Sequence, residues 1–282
     1  MLPWYLVDDV ILRALKEDAH YLDLSCEYLF EPSQPGRAYL LANAPGVMCG
    51  GEIFTRVFAL LDNAIEANIY VKDGEAFAAG DTLLEITGPV SVLLQGERTA
   101  LNLLQHLCGA ATMTAQVVKA VEGTGAVVCD TRKTLPGLRA LQKYAVTCGG
   151  GRNHRFNLSD AVMLKDNHID ACGSIGQAVA KVRAKVGHMV KIEVETRNLG
   201  EVQQALAAGA DVIMLDNMSV GEMREAVQLV RAYEKAPVPL EASGDITIEN
   251  AREIACAGVD VLSLGALTHS VKAANISMRM ST

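Results

Sequence analysis

The sequence lacks any long hydrophobic run. Gly, Asp or Lys interrupts its apolar stretches before they approach the ~18 residues that a membrane-spanning helix needs. The first nine residues contain no basic residue and include Asp8 and Asp9, unlike a secretory signal. We therefore expect neither a membrane span nor a secretory leader.

The chain also lacks closely paired cysteines. Its seven cysteines include no Cys-x-x-Cys pattern, which excludes the zinc and redox motifs that use this spacing. An odd number of separated cysteines is typical of a reducing compartment, and most of these have Ala, Val or Leu neighbours, as small buried hydrophobic residues do. The pattern predicts a cytoplasmic protein.

Positive charge is scarce as well. The sequence has 25 Lys and Arg against 33 Asp and Glu, a net charge of −8. A negative overall field disfavours nucleic acid and anionic membrane surfaces as partners. The 282 residues, half of them hydrophobic and 21% charged, suffice for one large or two modest globular domains.

The first hundred residues have a mixed α and β pattern. Apolar spacing predicts a short helix through residues 10–15, capped by Asp8 or Asp9, and then strands at 37–41, 64–71 and 82–87. A swinging-arm carrier domain at 71–88 is an alternative that requires Lys72 as its modified residue. From 90 to 121, a helical pattern interrupted at Gly96 and Gly109 predicts two consecutive helices.

After residue 125 the pattern changes to short apolar runs that end in a polar residue or glycine. Helical stretches lie between several of the runs, at 174–186, 198–208, 220–233 and 247–257. Repeated strand–helix units of this length build a parallel sheet or a β/α barrel. The six runs are 126–130, 161–165, 190–195, 211–216, 238–243 and 260–265.

Three charged residues on one strand favour the barrel over an open sheet. Lys191, Glu193 and Glu195 alternate, so they point to the same face. A covered parallel sheet would bury that face at a high cost, whereas the mouth of a barrel that binds charged ligands can hold it. An edge strand with one solvated face remains the alternative.

Cationic residues gather at the predicted strand ends. Arg132, Lys133 and Arg139 surround a Pro-Gly turn, the segment 149–155 brings His154 and Arg155, and Lys165 ends the next run. Arginine and lysine converging on one pocket imply a small polyanionic ligand. We expect Arg152 to be solvated, and the glycines at 149–151 lack the Walker pattern.

Acidic and small residues end the other strands. Glu195 and Asp216 could bind Mg²⁺ beside a pyrophosphate, act as an acid/base pair, or pair with nearby lysines; the sequence favours metal and ribose binding. Ser243, Gly244 and Gly265 follow the last two strands, where barrels often bind phosphate through backbone N–H groups.

Seven blocks span nearly the whole chain: Gly96-Glu-Arg-Thr-Ala-Leu-Asn102, Asp130-Thr-Arg-Lys-Thr-Leu-Pro-Gly-Leu-Arg139, Gly149-Gly-Gly-Arg-Asn-His-Arg155, Leu164-Lys-Asp-Asn-His168, Glu193-Val-Glu195, Leu215-Asp-Asn217 and Ala242-Ser-Gly244. In this order they resemble the nicotinate-nucleotide pyrophosphorylase (carboxylating) family, also called quinolinate phosphoribosyltransferase. The resemblance implies an α/β fold with an N-terminal α/β sandwich domain (1–110) and an incomplete β/α barrel of fewer than eight strands (111–270). Residues 271–282 would pack on the N-terminal domain.

The resemblance also implies site residues and partners. Lys133, Lys165, Glu195 and Asp216 would be catalytic, with Glu195 and Asp216 holding ribose and Mg²⁺. Quinolinate and phosphoribosyl pyrophosphate would be the substrates, and the protein a homodimer, or a higher oligomer built from dimers, whose active site borrows from its neighbour. The quinolinate-binding residues would be Arg98, Arg132, His154, Arg155 and Lys165; Lys133 would reach substrate phosphates or carboxylate, and Ser243, Gly244 and Gly265 would hold the 5′-phosphate.

Two departures and two alternatives accompany the resemblance. Asp245 stands where the family often has Gly, and Leu22-Asp-Leu-Ser25 where it often reads Gly-Asp-Leu-Thr. A relative from molybdenum-transport operons is the rival enzyme, and the full cationic set favours quinolinate over it. A phosphate-binding sensor barrel is the rival without catalysis, and it would not need Arg132, Arg155 or Glu195.

Overall fold

A computed structural model describes residues 2–19, 21–233 and 237–281. Its helices are α1 (Trp4–Asp18), α2 (Leu24–Leu29), α3 (Gly51–Ala59), α4 (Val90–Ala120), α5 (Arg139–Cys148), α6 (Asp166–Cys172), α7 (Ile175–Arg183), α8 (Leu199–Ala208), α9 (Val220–Arg231), α10 (Ile248–Ala255) and α11 (Ala266–His269). Its strands are β1 (Pro35–Ala42), β2 (Gly46–Val47), β3 (Glu66–Ile69), β4 (Ala76–Phe77), β5 (Thr82–Pro89), β6 (Val127–Cys129), β7 (Val162–Leu164), β8 (Ile192–Thr196), β9 (Val212–Asp216), β10 (Leu240–Ser243), β11 (Val261–Ser263) and β12 (Ile276–Met280).

The chain forms two compact units. Unit 1 comprises Met1–Ala115, Thr134–Gly150 and Leu267–Thr282, and unit 2 comprises Gln116–Lys133 and Gly151–Ala266. The division drawn from the sequence kept 134–150 with the barrel. The structure assigns this segment to unit 1, because Leu141 and Ala145 of α5 are buried in the core of that unit.

Unit 1 contains an antiparallel sheet in the order β12-β1-β5-β3. Along β1, Ala38, Leu40 and Ala42 are buried while their neighbours are less so, the alternation of a strand with one face against a core. The C-terminal strand β12 completes the sheet through antiparallel pairing with β1. Helices α1, α3 and α4 contribute apolar side chains to the same core.

Helix α1 begins earlier than the sequence predicted, so the predicted cap is wrong. The residue preceding the helix is Pro3, and Asp8 and Asp9 lie within it. The buried stripe formed by Val7, Ile11 and Leu15 already starts before the two acids. Asp8 instead accepts two hydrogen bonds from the Arg56 guanidinium, at 2.9 and 2.8 Å.

Residues 90 to 120 form one helix of 31 residues rather than two. A Cβ at Gly96 would lie 2.7 Å from the ring of Phe58, and one at Gly109 would lie 2.8 Å from a side-chain carbon of Val271 and closer still to the carbonyl of Lys272. Both glycines therefore permit close packing. Glycine in a helix costs about 1 kcal/mol relative to alanine, and the close packing that these two glycines permit outweighs this cost, so they do not end the helix.

Unit 2 is built on a parallel sheet in the order β6-β11-β10-β9-β8-β7, and it confirms all six predicted strands. Helices α7, α8, α9 and α10 confirm the four predicted helical stretches. Because β6 and β7 end the order without pairing with each other in the described residues, the barrel is incomplete. Strand β8 lies between β7 and β9, so the edge-strand alternative is wrong; Glu193 and Glu195 are buried there.

Within 2–19, 21–233 and 237–281, no helix combines the length and apolarity needed to cross a membrane.

Replacement of Gly109 by alanine tests the packing explanation for α4. Alanine normally stabilises a helix relative to glycine by ~1 kcal/mol, but here the Cβ meets backbone that cannot move aside, so we expect a loss of ~1–3 kcal/mol. Urea unfolding measures the change. Gly176→Ala in α7, where a Cβ meets nothing within 4 Å, is the control and should not destabilise. Equal stabilisation by both substitutions would contradict the explanation.

Candidate functional site

A cavity of about 270 Å³ lies at the carboxyl ends of the unit 2 strands. Parallel strands all present their carboxyl ends at one edge, which is where polar loops from distant parts of the sequence meet. Five cationic candidates from the sequence line this cavity together. The lining residues are Thr131, Arg132, Lys133, His154, Arg155, Met163, Lys165, Met214, Glu241 and Ser263.

The segment that carries His154 and Arg155 is tied to the end of β6. The Arg152 N–H donates to the carbonyl of Val128 at 2.8 Å, and the His154 N–H donates to Asp130 Oδ1 at 2.9 Å. Asp130 is fully buried. Arg155 Nη1 also donates to the carbonyl of Ala161 at 2.8 Å. The segment therefore has a fixed backbone, although it has little regular secondary structure.

The cavity is electrostatically prepared for an anion. Burial, and then the neighbouring guanidinium of Arg132, lower the pKa of Arg155. Cations that repel one another in a partly buried site are stabilised by any anion that binds between them. A ligand with several negative charges would relieve this repulsion most.

Two buried carboxylates hold the ring of His154. Its Nε2 lies 3.2 Å from Glu193 Oε2 and 3.4 Å from Glu241 Oε2. Burial lowers the pKa of His154, but the hydrogen bonds with the two glutamates outweigh burial and raise the pKa to about 10. For Glu193, burial acts in the other direction and raises the pKa of the carboxyl group. Both shifts favour the protonated forms of His154 and Glu193, the first because of the adjacent carboxylates and the second because of burial.

Glu195 and Asp216 end neighbouring strands. Glu195 is buried and accepts a hydrogen bond from Lys165 Nζ at 2.5 Å, so pairing with a lysine, one of the three alternatives, is present in this structure. Asp216, at the end of β9, accepts a hydrogen bond from the Asn217 side chain at 2.9 Å. Neither acid belongs to the two metal-sized clusters among the described residues, His154–Glu193–Glu241 and Cys49–Asp73–Cys148. Two hard oxygen donors still fit Mg²⁺, which takes one or two carboxylates beside phosphate oxygens.

The predicted phosphate loops follow the adjacent strands β10 and β11, which are in register at Ser243 and Ser263. Gly244 has a φ of +97°, and a Cβ there would lie 3.0 Å from the backbone nitrogen of Asn217 and collide with its side chain. Asp245 also has a positive φ, 45°, and is exposed. The positive φ explains why glycine suits position 245. In this chain the Asp245 carboxylate lies beside the candidate phosphate loop instead.

The remaining candidate residues do not line this cavity. Arg98 is exposed on α4 within unit 1, and Arg139 begins α5 in the same unit, where its Nε donates to Thr134. Arg152 is exposed, as expected. Gly265 directly precedes α11.

Sequence reasoning gave no role to Glu241 or Glu193. One signal could have found both. Glu241 precedes Ser243 by two residues, as Glu193 precedes Glu195, so each faces the same side as a candidate residue at its strand end. The same alternation on β9 places Met214 below Asp216.

Family models match nearly the whole chain. Residues 23–108 match the quinolinate phosphoribosyl transferase N-terminal domain, and residues 110–279 match the C-terminal domain of the same family. A Bacillus subtilis protein named "probable nicotinate-nucleotide pyrophosphorylase [carboxylating]" is 46% identical over 93% of this chain and 89% of its own length. The Mycobacterium leprae nicotinate-nucleotide pyrophosphorylase [carboxylating] is 42% identical over 96% of this chain and 95% of its own.

Solved structures agree with these matches. NadC from Streptococcus pyogenes is 43% identical, with a TM-score of 0.94 over 100% of this chain and 98% of that chain. The nicotinate-nucleotide pyrophosphorylase from Francisella tularensis is 37% identical, with a TM-score of 0.93 over 100% and 98%.

Asp245→Asn tests the candidate phosphate loop. Asparagine tolerates a positive φ as aspartate does, so the substitution removes the charge without changing the backbone. We expect inorganic phosphate to bind about two- to five-fold more tightly, as removal of one exposed like charge allows. Calorimetric titration with phosphate measures this. Glu253→Gln, the same charge change at an exposed position of α10, should leave the affinity unaltered, and an unaltered affinity in Asp245→Asn would contradict the assignment.

Proposed function

The chain belongs to the quinolinate phosphoribosyltransferase family, and we propose from this that it transfers the phosphoribosyl group of phosphoribosyl pyrophosphate to quinolinate with decarboxylation. The products are nicotinate mononucleotide, carbon dioxide and pyrophosphate, a step of de novo NAD biosynthesis. The enzyme is therefore a pentosyltransferase. The single observation that carries the proposal is the cavity at the strand ends, which gathers four arginine and lysine side chains and His154 in an acidic protein.

Quinolinate would bind with its two carboxylates against Arg132, Arg155 and Lys165. Guanidinium groups match carboxylates bidentately, and the mutual repulsion of Arg132 and Arg155 favours a dianion. Met163 and Met214 offer polarizable thioethers to the flat pyridine ring. His154 lines the same cavity.

Phosphoribosyl pyrophosphate would bind along the neighbouring strand ends. Backbone N–H groups at Ser243, Gly244 and Gly265 would hold the 5′-phosphate, and Lys133 would reach the substrate phosphates or a carboxylate. Glu195 and Asp216 would bind the ribose hydroxyls and Mg²⁺. When bound, Mg²⁺ would neutralise charge on the leaving pyrophosphate.

The protein contributes mainly position and charge. The bond from ribose C1 to pyrophosphate breaks while the quinolinate nitrogen attacks C1, so alignment of the two reactants supplies much of the acceleration. The 2-carboxylate of the new pyridinium then leaves as carbon dioxide, and the ring carbon that carried it keeps the electron pair and takes up a proton. Lys165 would exchange its pairing with Glu195 for a substrate carboxylate, which would release Glu195 for the ribose.

The assembly is also part of the proposal. We infer a homodimer, or a higher oligomer built from dimers, in which Arg98 of one subunit acts at the site of the other. Its exposure on α4 supports a role outside its own core. The seven cysteines are free thiols, which supports a reducing cytoplasm.

Substrate choice tests the reaction. We expect turnover of quinolinate, and ~10–100-fold lower kcat/KM with nicotinate, because a monocarboxylate cannot offer a carboxylate to both of the half-buried arginines, Arg132 and Arg155. Formation of nicotinate mononucleotide in the presence of phosphoribosyl pyrophosphate and Mg²⁺ is measured by chromatography. Reactions without Mg²⁺ or without phosphoribosyl pyrophosphate are the controls. Equal turnover of nicotinate would refute the assignment.

Subunit mixing tests Arg98. Arg98→Ala and Arg132→Ala should each be nearly inactive, yet a mixed dimer contains one site with both arginines intact. Random re-pairing of equal amounts restores about a quarter of the sites under two-fold symmetry. Exchange is followed with differently tagged subunits. If exchange occurs and no activity returns, Arg98 does not act across the dimer.

A further inference from the structure

Two buried carboxylates beneath the cation pocket have no role in the reaction described above. Glu193 on β8 and Glu241 on β10 flank the central strand β9, and they are only 6% and 3% exposed. Buried acids next to an anion-binding cavity oppose the binding of the anion, and each also has to offset its own desolvation. They require a function that balances this disadvantage.

Both carboxylates contact the same atom, Nε2 of His154. The other ring nitrogen, Nδ1, accepts a hydrogen bond from the backbone N–H of Arg155 at 2.7 Å. A ring nitrogen that accepts a hydrogen bond carries no proton of its own, so the ring is the neutral tautomer with its proton on Nε2. In an imidazolium, the Nδ1–H and the Arg155 N–H would be two donors facing each other.

This geometry decides whether the His154 ring carries a second proton. The raised pKa of His154 would place the proton on the ring, but the hydrogen bond at Nδ1 leaves no room for it there. The hydrogen bond makes Nδ1 an acceptor, and an acceptor nitrogen of the ring has no proton of its own. The ring therefore donates once, to the carboxylates, and accepts once, from Arg155.

A continuous set of hydrogen bonds thus leads from the floor of the barrel to the candidate quinolinate site. The carboxylates of Glu193 and Glu241 accept from the His154 ring, and the ring accepts from the Arg155 backbone. The buried Asp130 accepts from the His154 backbone, and Ala161 accepts from the Arg155 guanidinium. The acids that contact His154 are therefore Glu193, Glu241 and Asp130, and the cations that line the same cavity are Arg132, Lys133, Arg155 and Lys165.

We propose that Glu241 and Glu193 are positioning residues, which fix His154 as the neutral Nε2–H tautomer so that its Nδ1 holds Arg155 in place against the bound dicarboxylate. The identity of that ligand rests on the proposed function; the state of the ring does not. His154 then contributes orientation rather than positive charge. The cationic charge for the ligand comes from the arginines and lysines.

The ring state is measured directly on the free wild-type protein. Nitrogen NMR of ¹⁵N-histidine-labelled protein distinguishes a protonated from an unprotonated ring nitrogen, and His154→Gln identifies the signals among the six histidines. At neutral pH we expect one nitrogen of each kind for His154, with the proton on Nε2. Two protonated nitrogens would overturn the proposal, whether or not the protein turns over quinolinate.

Two substitutions of Glu241 separate orientation from charge. Glu241→Gln keeps an oxygen that accepts from Nε2–H, so KM for quinolinate should stay within about two-fold of the wild type. Glu241→Leu removes the acceptor, and we expect KM for quinolinate to rise at least about ten-fold with KM for phosphoribosyl pyrophosphate nearly unchanged. If glutamine raises KM as much as leucine, the carboxylate acts by its charge and the proposal is wrong.

The same measurements distinguish failure of the inference from failure of the proposed function. A wild-type protein that does not use quinolinate refutes the function, while the NMR result still decides the ring state. If Glu241→Leu does not fold, Glu193→Gln with Glu241→Gln replaces it. We expect this pair to keep the neutral tautomer and a near-normal KM, and loss of either overturns the proposal.

Discussion

Burial of a carboxylate costs on the order of several kcal/mol unless donors replace the water that it loses. Unit 2 buries four acids near its strand ends: Asp130, Glu193, Glu195 and Glu241. Donors meet each of them, from the His154 backbone, the His154 ring and the Lys165 ammonium. Because the acids sit on or beside rigid strands, their requirement for donors determines where the histidine, the adjoining arginine and the lysine lie.

This arrangement reconciles an acidic protein with an anionic ligand. The negative charge of the buried acids below the cavity stabilises the cationic side chains around it in the absence of a ligand. The ligand then competes with those acids for the cations, as Lys165 illustrates by its pairing with Glu195. The affinity for the ligand therefore depends on how much more strongly the cations pair with the ligand than with the buried acids. A single anion gains little from this exchange, so the pairs with the buried acids limit its nonselective binding.

The sequence predicted the parts of the fold that depend on local periodicity. Six strands and four helices of unit 2 follow from short apolar runs and from the helical stretches between them. Prediction from the sequence failed where a contact with a distant part of the chain determines the structure. Gly109 looked like a helix end, because nothing near it in sequence reveals the approach of the Lys272 backbone. Likewise, alternation shows that Glu193 and Glu195 share a face, but only the folded sheet reveals that one meets His154 and the other Lys165.

The chain passes between the two units at four points, after Ala115, Lys133, Gly150 and Ala266. A gene fragment that ends at any one of them deprives a unit of an integral element, such as the edge strand β12 or the buried helix α5. The two units are therefore not interchangeable modules that fusion or shuffling could recombine, although family models divide the chain at a single place near residue 109. Both units therefore have to be encoded together in one chain.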